Sequence, residues 1–158
     1  MELEEQLVAL LEKHSLTIAV AESCTGGLLA GRIVNVSGVS KYFKAGFVTY
    51  TEEAKHKLLH VKMKTLEEET AVSEKTAGEM VLGAAQQMNA TVGIATTGLA
   101  GPTGGTEKKP VGLVYIATYI NGEIFVKEYH FDGNRCKIRE EAVNAALEQT
   151  IELIRKAY

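Results

Sequence analysis

Apolar residues that recur every three to four positions predict the helices of this chain. Leucines at this spacing predict a first helix over about 2–14. The clearest helix begins after Ser73, whose side chain can cap it, and carries one apolar stripe from Ala77 to Met88. Weaker patterns predict further helices over about 28–34, 52–60 and 135–156.

Short apolar runs between these helices predict strands. They are rich in β-branched or aromatic residues, as buried strands are, and cover about 16–21, 43–50, 91–97, 111–120 and 123–131. The last two runs flank Asn121-Gly122, the strongest short signal for a hairpin. Strands that alternate with helices, together with one hairpin, predict an α/β fold: a three-layer α/β/α sandwich with a mixed, mostly parallel sheet. The segment 61–72 is too short to separate two domains, so we expect residues 1–158 to form a single domain.

Composition and charge narrow the range of functions. The chain has 158 residues, of which 46% are hydrophobic and 23% are charged, and its net charge of −3 is spread over interleaved acids and bases. No basic face that would attract nucleic acid is visible, and no run approaches the roughly 18 apolar residues of a membrane span. The acidic N-terminus is unlike a signal peptide, and the only cysteines are Cys24 and Cys136. These features predict a cytoplasmic protein without nucleic-acid or membrane partners.

Three segments that combine glycines with small polar residues mark the candidate site. They cover 22–27, 50–55 and 97–106, and each lies at the end of a predicted strand. Ligands of open α/β sheets bind beyond the carboxyl ends of the strands. We therefore expect the three segments to converge on one crevice.

The first segment, Glu22-Ser23-Cys24-Thr25-Gly26-Gly27, leads from a strand into a helix. Hydroxyls and backbone N–H groups at a helix start suit a phosphate. The segment has neither the lysine of a Walker A loop nor a dinucleotide fingerprint. An equally good interpretation is a plain turn that Ser23 or Thr25 caps.

The second segment places Lys55 in the first turn of a helix, where the helix dipole opposes its positive charge. This field, with partial burial, would lower the pKa of the lysine toward that of a general base. The alternative is an exposed lysine on a charged helix surface. The third segment has four glycines in the eight positions 98–105, which would let the backbone approach a ligand, and here the alternative is a flexible loop.

Two further features resemble catalytic motifs but fit them poorly. His56 and His60 have the spacing of a zinc-protease helix, yet Lys57 stands where the glutamate base belongs, so we expect no metal there. Cys24 is adjacent to Ser23, but it lacks a convincing His or Asn partner set and is interpreted as a small packing residue.

Four motifs, in this order, resemble those of one protein family. They are Glu22-Ser23-Cys24-Thr25-Gly26-Gly27, Tyr50 with Glu53-Ala54-Lys55, Thr97-Gly98-Leu99-Ala100-Gly101-Pro102, and Lys109-Pro110-Val111-Gly112. From about residue 4 to 155 the chain closely resembles the C-terminal domain of CinA, the competence/damage-inducible protein, also found alone as the nicotinamide-nucleotide amidase PncC. The resemblance implies hydrolysis of nicotinamide mononucleotide to nicotinate mononucleotide and ammonia in pyridine-nucleotide salvage. It also implies a protein that is often a homodimer. Hydrolysis by a serine and a lysine requires no metal, and we expect no cofactor.

The resemblance implies roles for individual residues. Ser23 matches the family's nucleophile and Lys55 its base, with Tyr50 beside them. The residues expected to contact the substrate are Thr25, Gly26, Gly27, Thr97, Gly98, Ala100, Gly101 and Arg139, the last at the nucleotide phosphate. One departure is Glu52, where the family commonly has asparagine, because its charge would raise the pKa of Lys55 or alter substrate choice.

The sequence leaves alternatives open for the mechanism. The N–H groups at Gly26 and Gly27 would serve either the phosphate or the developing oxyanion, and in the first case the oxyanion donors would come from 97–101. Tyr50 would either steer the proton of Lys55 or pack on the pyridinium ring. A competing interpretation is a non-catalytic nucleotide-binding or regulatory module. A role as an interaction protein in competence or DNA damage rests on the family name alone.

Overall fold

A computed structural model describes all residues from 1 to 158. The strands are β1 (Ile18–Glu22), β2 (Phe43–Val48), β3 (Val92–Gly98), β4 (Leu113–Ile120) and β5 (Glu123–His130). The helices are α1 (Leu3–Lys13), α2 (Leu28–Val34), α3 (Glu52–Leu59), α4 (Met63–Glu69), α5 (Glu74–Met88) and α6 (Arg135–Ala157). None of the helices combines the length and the hydropathy needed to cross a membrane.

The five strands form one open sheet in the order β2-β1-β3-β4-β5. β1 pairs in parallel with β2 and with β3, whereas β4 runs antiparallel to both of its neighbours. Four of the five strands therefore share one direction. This architecture confirms the predicted α/β class and the mixed, mostly parallel sheet.

Helices cover both faces of the sheet, because each central strand is apolar on both sides. Along β1, Ile18 and Val20 pack toward α1, α2 and α6, while Ala19 and Ala21 pack toward α5. Alternate residues of a strand point to opposite faces, so one short apolar run serves two cores. The result is the three-layer sandwich that the sequence predicted.

The small residues on the α5 face let helices approach closely. A Cβ at Gly83 of α5 would lie 2.0 Å from the carbonyl oxygen of Leu59, the last residue of α3. Only glycine permits this contact between the end of α3 and the backbone of α5. The contact fixes the position of α3, the helix that carries Lys55.

The carboxyl ends of the three parallel strands lie side by side. Glu22 at the end of β1 pairs with Val48 of β2 and with Thr96 of β3. The turns that follow these strands therefore emerge at one edge of the sheet, as the strand pattern predicted.

The structure differs from the predicted elements mainly between residues 61 and 72. This segment, interpreted as a linker, contains α4, in which only Thr65 and Leu66 are buried and no side chain caps the N-terminus. A helix with so little apolar surface has no periodic stripe to reveal it. The pattern also missed a short 3₁₀ turn over Val39–Lys41.

Candidate active site

Ser23 and Lys55 meet at the carboxyl edge of the sheet. Lys55 Nζ lies 2.8 Å from Ser23 Oγ and donates a second hydrogen bond, also of 2.8 Å, to the carbonyl oxygen of Thr49. Ser23 is 8% exposed and Lys55 only 1%. The hydroxyl after the first strand and the amine after the second are thus in direct contact in an almost closed space.

Burial lowers the pKa of Lys55 from its ordinary 10.5 to about 8, while negative charge on Cys24 and Glu52 acts in the opposite direction. Burial also raises the pKa of the Cys24 thiol to about 11, so this thiol is neutral at the pH where Lys55 titrates. Glu52 is therefore the charge that opposes the effect of burial. An amine with this pKa is partly neutral at physiological pH, and its lone pair can then accept the proton of Ser23.

Glu22 anchors the turn that carries Ser23. Its carboxylate is fully buried and accepts hydrogen bonds from Thr25 Oγ1 at 2.6 Å and from the N–H groups of Leu29 and Ala30 at 2.9 and 3.0 Å. The carboxylate therefore occupies the start of α2, which the sequence analysis had assigned to a phosphate or an oxyanion. The N–H groups of Leu29 and Ala30 are therefore used by this carboxylate, and that of Gly26 donates to the carbonyl oxygen of Ser23, so none of the three is available to a phosphate or an oxyanion.

The residues of the predicted anion loop accordingly serve the protein itself. Thr25 is fully buried, with its hydroxyl 2.8 Å from Thr96 Oγ1 as well as bonded to Glu22. Gly26 and Gly27 do not line the cavity beside Ser23, and both have positive φ angles of 57° and 103°. Their conformation explains the glycines as a requirement of the turn.

Two arginines of α6 reach this edge of the sheet, and they form hydrogen bonds with different parts of the site. Arg139, the predicted phosphate ligand, donates from Nε to the carbonyl oxygen of Cys24 and from Nη2 to that of Thr25, at 3.0 and 2.9 Å. It holds the turn after Ser23. Arg135, one helical turn earlier, donates to the carbonyl oxygen of Gly101 and to the hydroxyl of Tyr50, at 2.7 and 2.8 Å. Arg135, and not Arg139, lines the cavity.

The cavity at the Ser23–Lys55 pair has a volume of about 210 Å³. All three predicted segments line it, and so do two stretches that the sequence analysis missed. Its lining is formed by Ser23, Cys24, Tyr50, Lys55, Ala71, Val72, Thr97, Gly98, Leu99, Ala100, Gly101, Thr103 and Arg135. Only Arg135 carried a sequence signal, since it lies four residues before Arg139 and so on the same face of the helix.

Packing within the protein explains two glycines of the third segment. A Cβ at Gly98 would lie 2.6 Å from the carbonyl oxygen of Leu113, and a Cβ at Gly101 would lie 2.4 Å from Val111 Cγ1. The sequence analysis expected these glycines to make room for a ligand. The structure shows that they also make room for the chain that returns into β4, while both line the cavity.

Ala71 and Val72 form one wall of the cavity, and residues 70–72 are fixed by side chains from three parts of the chain. Their carbonyl oxygens accept hydrogen bonds of 2.6 Å each from Thr76 Oγ1, Thr97 Oγ1 and Lys109 Nζ, respectively. Thr70 has a φ of 70°, which is rare for a β-branched residue. Such a conformation persists only where the surroundings impose it, as these bonds do.

Lys109 ties this wall to the glycine loop. Besides the carbonyl of Val72, its ammonium donates to the carbonyl oxygen of Glu69 and to Thr70 Oγ1, both at 2.8 Å. All three N–H bonds of the group are used within the protein. We therefore assign Lys109 the role of positioning the cavity wall, a role that its motif in the sequence did not reveal.

No cluster of three or more His, Cys, Asp or Glu side chains lies in a position to hold a metal ion. His56 Nδ1 lies 2.7 Å from the carbonyl oxygen of Val61, and His60 Nε2 lies 2.9 Å from the side-chain nitrogen of Gln87. The two imidazoles thus have separate partners within the protein.

Replacing Lys55 tests the burial of its amine. A pKa that folding lowers makes the folded state bind fewer protons than the unfolded state between the two values, so stability rises with pH there. We expect the difference in the free energy of unfolding between the native protein and the Lys55→Met variant to be constant below pH 8. The stability of the native protein relative to the variant should then rise by at most about 3 kcal/mol as the pH approaches 10.5. Denaturant unfolding across this range measures it.

The matched control is Lys57→Met, an exposed lysine on the same helix. The difference between this variant and the native protein should stay constant with pH. An equally flat difference for Lys55→Met would contradict the lowered pKa.

Replacing Lys109 tests its positioning role. Lys109→Met removes three hydrogen bonds from residues 69–72, so amide hydrogen exchange should become at least about tenfold faster at Thr70 and Val72, whose N–H groups are hydrogen-bonded in this segment. Exchange in α6 should not change. Lys108→Met, the exposed neighbour, is the control, and unchanged exchange at 70–72 in Lys109→Met would refute the assignment.

Comparison with known proteins identifies the family. The chain matches the family model described as the CinA C-terminal domain over residues 1–154. A CinA-like protein of Kosmotoga olearia is 54% identical over 146 residues, which cover 92% of this chain and 35% of that protein. The chain spans little more than a third of the length of the curated relatives it matches.

Solved structures agree with this match. The competence/damage inducible protein CihA of Agrobacterium tumefaciens is 42% identical, with a TM-score of 0.91 over 96% of this chain and 94% of that one. A competence-damaged protein (CinA) superfamily protein of Escherichia coli is 41% identical, with a TM-score of 0.91 over 96% and 90%. This chain therefore belongs to the CinA family of competence/damage-inducible proteins, and it corresponds to the C-terminal domain of that family.

Proposed function

We propose that this chain hydrolyses the carboxamide of nicotinamide mononucleotide to give nicotinate mononucleotide and ammonia. The observation that carries the proposal is the buried contact of 2.8 Å between Lys55 Nζ and Ser23 Oγ. A serine paired with a neutral lysine is one of the recurring nucleophile–base arrangements of acyl transfer. The choice of substrate follows from the family, and the choice of chemistry follows from this pair.

In the first half of the reaction, neutral Lys55 accepts the proton of Ser23 while Oγ attacks the carboxamide carbon. The carbonyl electrons move onto oxygen, which becomes an oxyanion. Lys55, now an ammonium that the carbonyl of Thr49 helps to hold, passes its proton to the amide nitrogen. The C–N bond breaks, ammonia leaves, and the nicotinoyl group stays on Ser23 as an ester.

In the second half, a water molecule attacks this ester. Lys55, again neutral, accepts a proton from the water and returns it to Ser23 Oγ as the ester bond breaks. The product is the carboxylate of nicotinate mononucleotide, and the pair is restored. Each proton is thus transferred by one group whose pKa of about 8 lies close to neutral pH.

The oxyanion requires N–H donors that have no other partner. The N–H groups of Leu29 and Ala30 are bonded to Glu22 and are unsuitable. Ala100 and Gly101 line the cavity, and their backbone N–H groups donate to no other group of the chain. We assign the oxyanion to them, and a donor of this kind typically contributes about 2.7–4 kcal/mol to the transition state.

The size of the cavity indicates which part of the nucleotide it would hold. At about 210 Å³ it is smaller than the roughly 300–1,000 Å³ usual for a whole ligand. It suits the pyridine ring and the carboxamide, with the ribose phosphate extending along the rim. Tyr50 lines the cavity and its hydroxyl accepts a hydrogen bond from Arg135, and in this proposal its ring packs on the pyridinium. Arg135 takes the phosphate in this proposal, because it is exposed and lines the cavity, whereas Arg139 is half-buried and does not.

The proposed function predicts that Ser23→Ala abolishes turnover. Ammonia release from nicotinamide mononucleotide should fall at least about a thousandfold, because Ser23 Oγ is the one hydroxyl that is hydrogen-bonded to Lys55 Nζ. Lys55→Met should reduce the rate steeply with little effect on nucleotide binding. Cys24→Ala is the control and should retain most of the activity, since the thiol is protonated at neutral pH.

The same assay separates the enzyme from a non-catalytic nucleotide-binding module. Full activity in a folded Ser23→Ala protein would remove Ser23 from the mechanism. Thermal stabilisation of the native protein by the nucleotide, without any ammonia, would instead establish the binding module.

The proposed base predicts a specific pH dependence. The value of kcat/KM should rise with pH through about 8, as Lys55 loses its proton in the free enzyme. Because the charge of Glu52 raises the pKa of Lys55, Glu52→Gln should shift this rise to lower pH. Glu53→Gln, the neighbouring exposed acid, should leave it in place. A rise that stays in place in Glu52→Gln, or shifts to higher pH, would contradict the assignment of Lys55 as base.

A further inference from the structure

The hydroxyl of Thr49 is the one buried side-chain polar group of this structure that has no hydrogen-bond partner. Thr49 directly follows β2 and is fully buried, and its backbone N–H donates to the carbonyl oxygen of Glu22 at 2.8 Å. Buried hydroxyl groups are almost always paired, because an unpaired one has lost its hydrogen bonds to water without a replacement. An unpaired hydroxyl at this position therefore points to a partner that it binds in another state of the protein.

The side chain of Thr49 faces the helix that carries Lys55. Phe47, two residues earlier on β2, packs against the apolar cluster on the α5 side of the sheet, which includes Leu59 of α3. Residues two apart on a strand point to the same face, and the N–H of Thr49 continues the pairing of β2 with β1. Thr49 does not line the cavity at Ser23, so its partner has to come from the protein and not from a ligand.

Lys55 has an unpaired donor at the same place whenever it is charged. Its amine contacts Ser23 Oγ and the carbonyl oxygen of Thr49, both at 2.8 Å, and the residue is only 1% exposed. An ammonium group has three N–H bonds, so these two acceptors leave one of them without a partner. A donor without an acceptor and an acceptor without a donor thus lie at one buried position.

We propose that the hydroxyl oxygen of Thr49 accepts the third N–H of the Lys55 ammonium and so stabilises the charged form of the base during turnover. The carbonyl oxygen of the same residue already contacts Nζ, so a rotation of the threonine side chain brings the hydroxyl to the ammonium. Thr49 is then a positioning residue, which acts on Lys55 and does not touch the substrate. The consequence for turnover rests on the proposed function, whereas the contact itself is measurable without a substrate.

The contact favours the transition state over the resting enzyme. Lys55 is neutral before the attack and becomes an ammonium when it takes the proton of Ser23. A hydrogen bond from a charged donor is roughly twice as strong as one from a neutral donor. An interaction that strengthens as the reaction proceeds accelerates the chemical step. The proton of Ser23 stays on Nζ until it passes to the amide nitrogen, and Thr49 neither gains nor loses one.

The charged groups around Lys55 do not supply this acceptor. Cys24, after β1, and Glu52, at the start of α3, are the groups whose charge acts on Lys55, and none of the ionisable groups of α5, which packs against α3, is among them. The Cys24 thiol is protonated near neutral pH, and Glu52 is exposed. Tyr50 and Arg135, across the cavity, are hydrogen-bonded to each other. A neutral hydroxyl is therefore the acceptor that this position offers.

Thr49→Val tests the contact without a substrate, because valine keeps the shape of threonine and removes the hydroxyl. A hydroxyl that binds the ammonium raises the pKa of Lys55 in the folded protein. The stability that it contributes is then present while Lys55 is charged and decreases as the pH rises through about 8. Denaturant unfolding between about pH 6 and 10 should show the native protein losing stability relative to Thr49→Val. Thr49→Ala, which also lacks the hydroxyl, should show the same trend.

Thr118→Val is the matched control. Thr118 is also fully buried, but its hydroxyl already lies 3.0 Å from Gln149 Nε2 and 3.2 Å from Thr150 Oγ1, neither of which titrates. The effect of this substitution on the free energy of unfolding should not depend on pH. Thr49→Ser keeps the hydroxyl and should keep the pH dependence of the native protein.

Turnover of nicotinamide mononucleotide tests the catalytic consequence. At high pH the free enzyme is neutral and only the transition state contains the ammonium, so Thr49→Val should reduce kcat/KM about tenfold. At low pH the free enzyme already contains the ammonium, so the loss affects both states equally and the two profiles should converge. Thr49→Ser should restore the native profile. A substitution that merely displaced Lys55 would instead lower kcat/KM by the same factor at every pH.

Three results would overturn the proposal. They are a stability difference between the native protein and Thr49→Val that does not change with pH, an equal pH dependence in Thr118→Val, and a kcat/KM profile of Thr49→Val that is lowered equally at every pH. A native protein that releases no ammonia would contradict the proposed function alone, and the unfolding measurements would still decide the contact between Thr49 and Lys55.

Discussion

The buried amine of Lys55 is the constraint on which the site depends. Removing an amine from water disfavours its charged form, and no carboxylate contacts this one to compensate. Its neighbours are a hydroxyl and a backbone carbonyl, which serve both the neutral and the protonated form. A carboxylate in the place of the Ser23 hydroxyl would stabilise the ammonium and raise the pKa of Lys55. The chemistry of the pair therefore follows from uncharged surroundings.

The two halves of the pair are held by separate means. Lys55 is placed by α3, whose last residue packs on the backbone of α5 at Gly83. Ser23 is placed by a turn that Glu22 holds from inside and Arg139 from α6. The supports of Ser23 satisfy polar groups that would otherwise be buried without partners, so they stabilise the fold and orient the side chain together. The contact between the two side chains is the sum of these independent restraints.

The cavity wall that contains Ala71 and Val72 is also held by hydrogen bonds from distant parts of the chain. Residues 70–72 have no regular secondary structure, and their carbonyl groups need donors. Thr76, Thr97 and Lys109 supply them from three elements, and together they impose the uncommon backbone of Thr70. Hydroxyl and ammonium groups that resemble ligand-binding groups in the sequence thus donate hydrogen bonds to backbone carbonyl oxygens of the protein itself. Fewer polar groups than the sequence predicted are therefore free to contact a ligand. They lie around Ala100, Gly101, Arg135 and the Ser23–Lys55 pair.

The sequence by itself determined the order and type of the main elements and the edge where the site lies. Periodicity, the Asn-Gly hairpin and the polar-glycine segments after strands are local signals, and parallel strands bring their carboxyl ends together. Tertiary structure decided what each polar group faces. Arg139 and Arg135 lie one helical turn apart, and only the packing of α6 shows that the second lines the cavity. Glu22 caps α2, and Gly98 and Gly101 accommodate β4 and Val111, through contacts between residues distant in sequence. Such contacts leave no periodic trace, because they depend on how elements dock and not on what each segment forms alone.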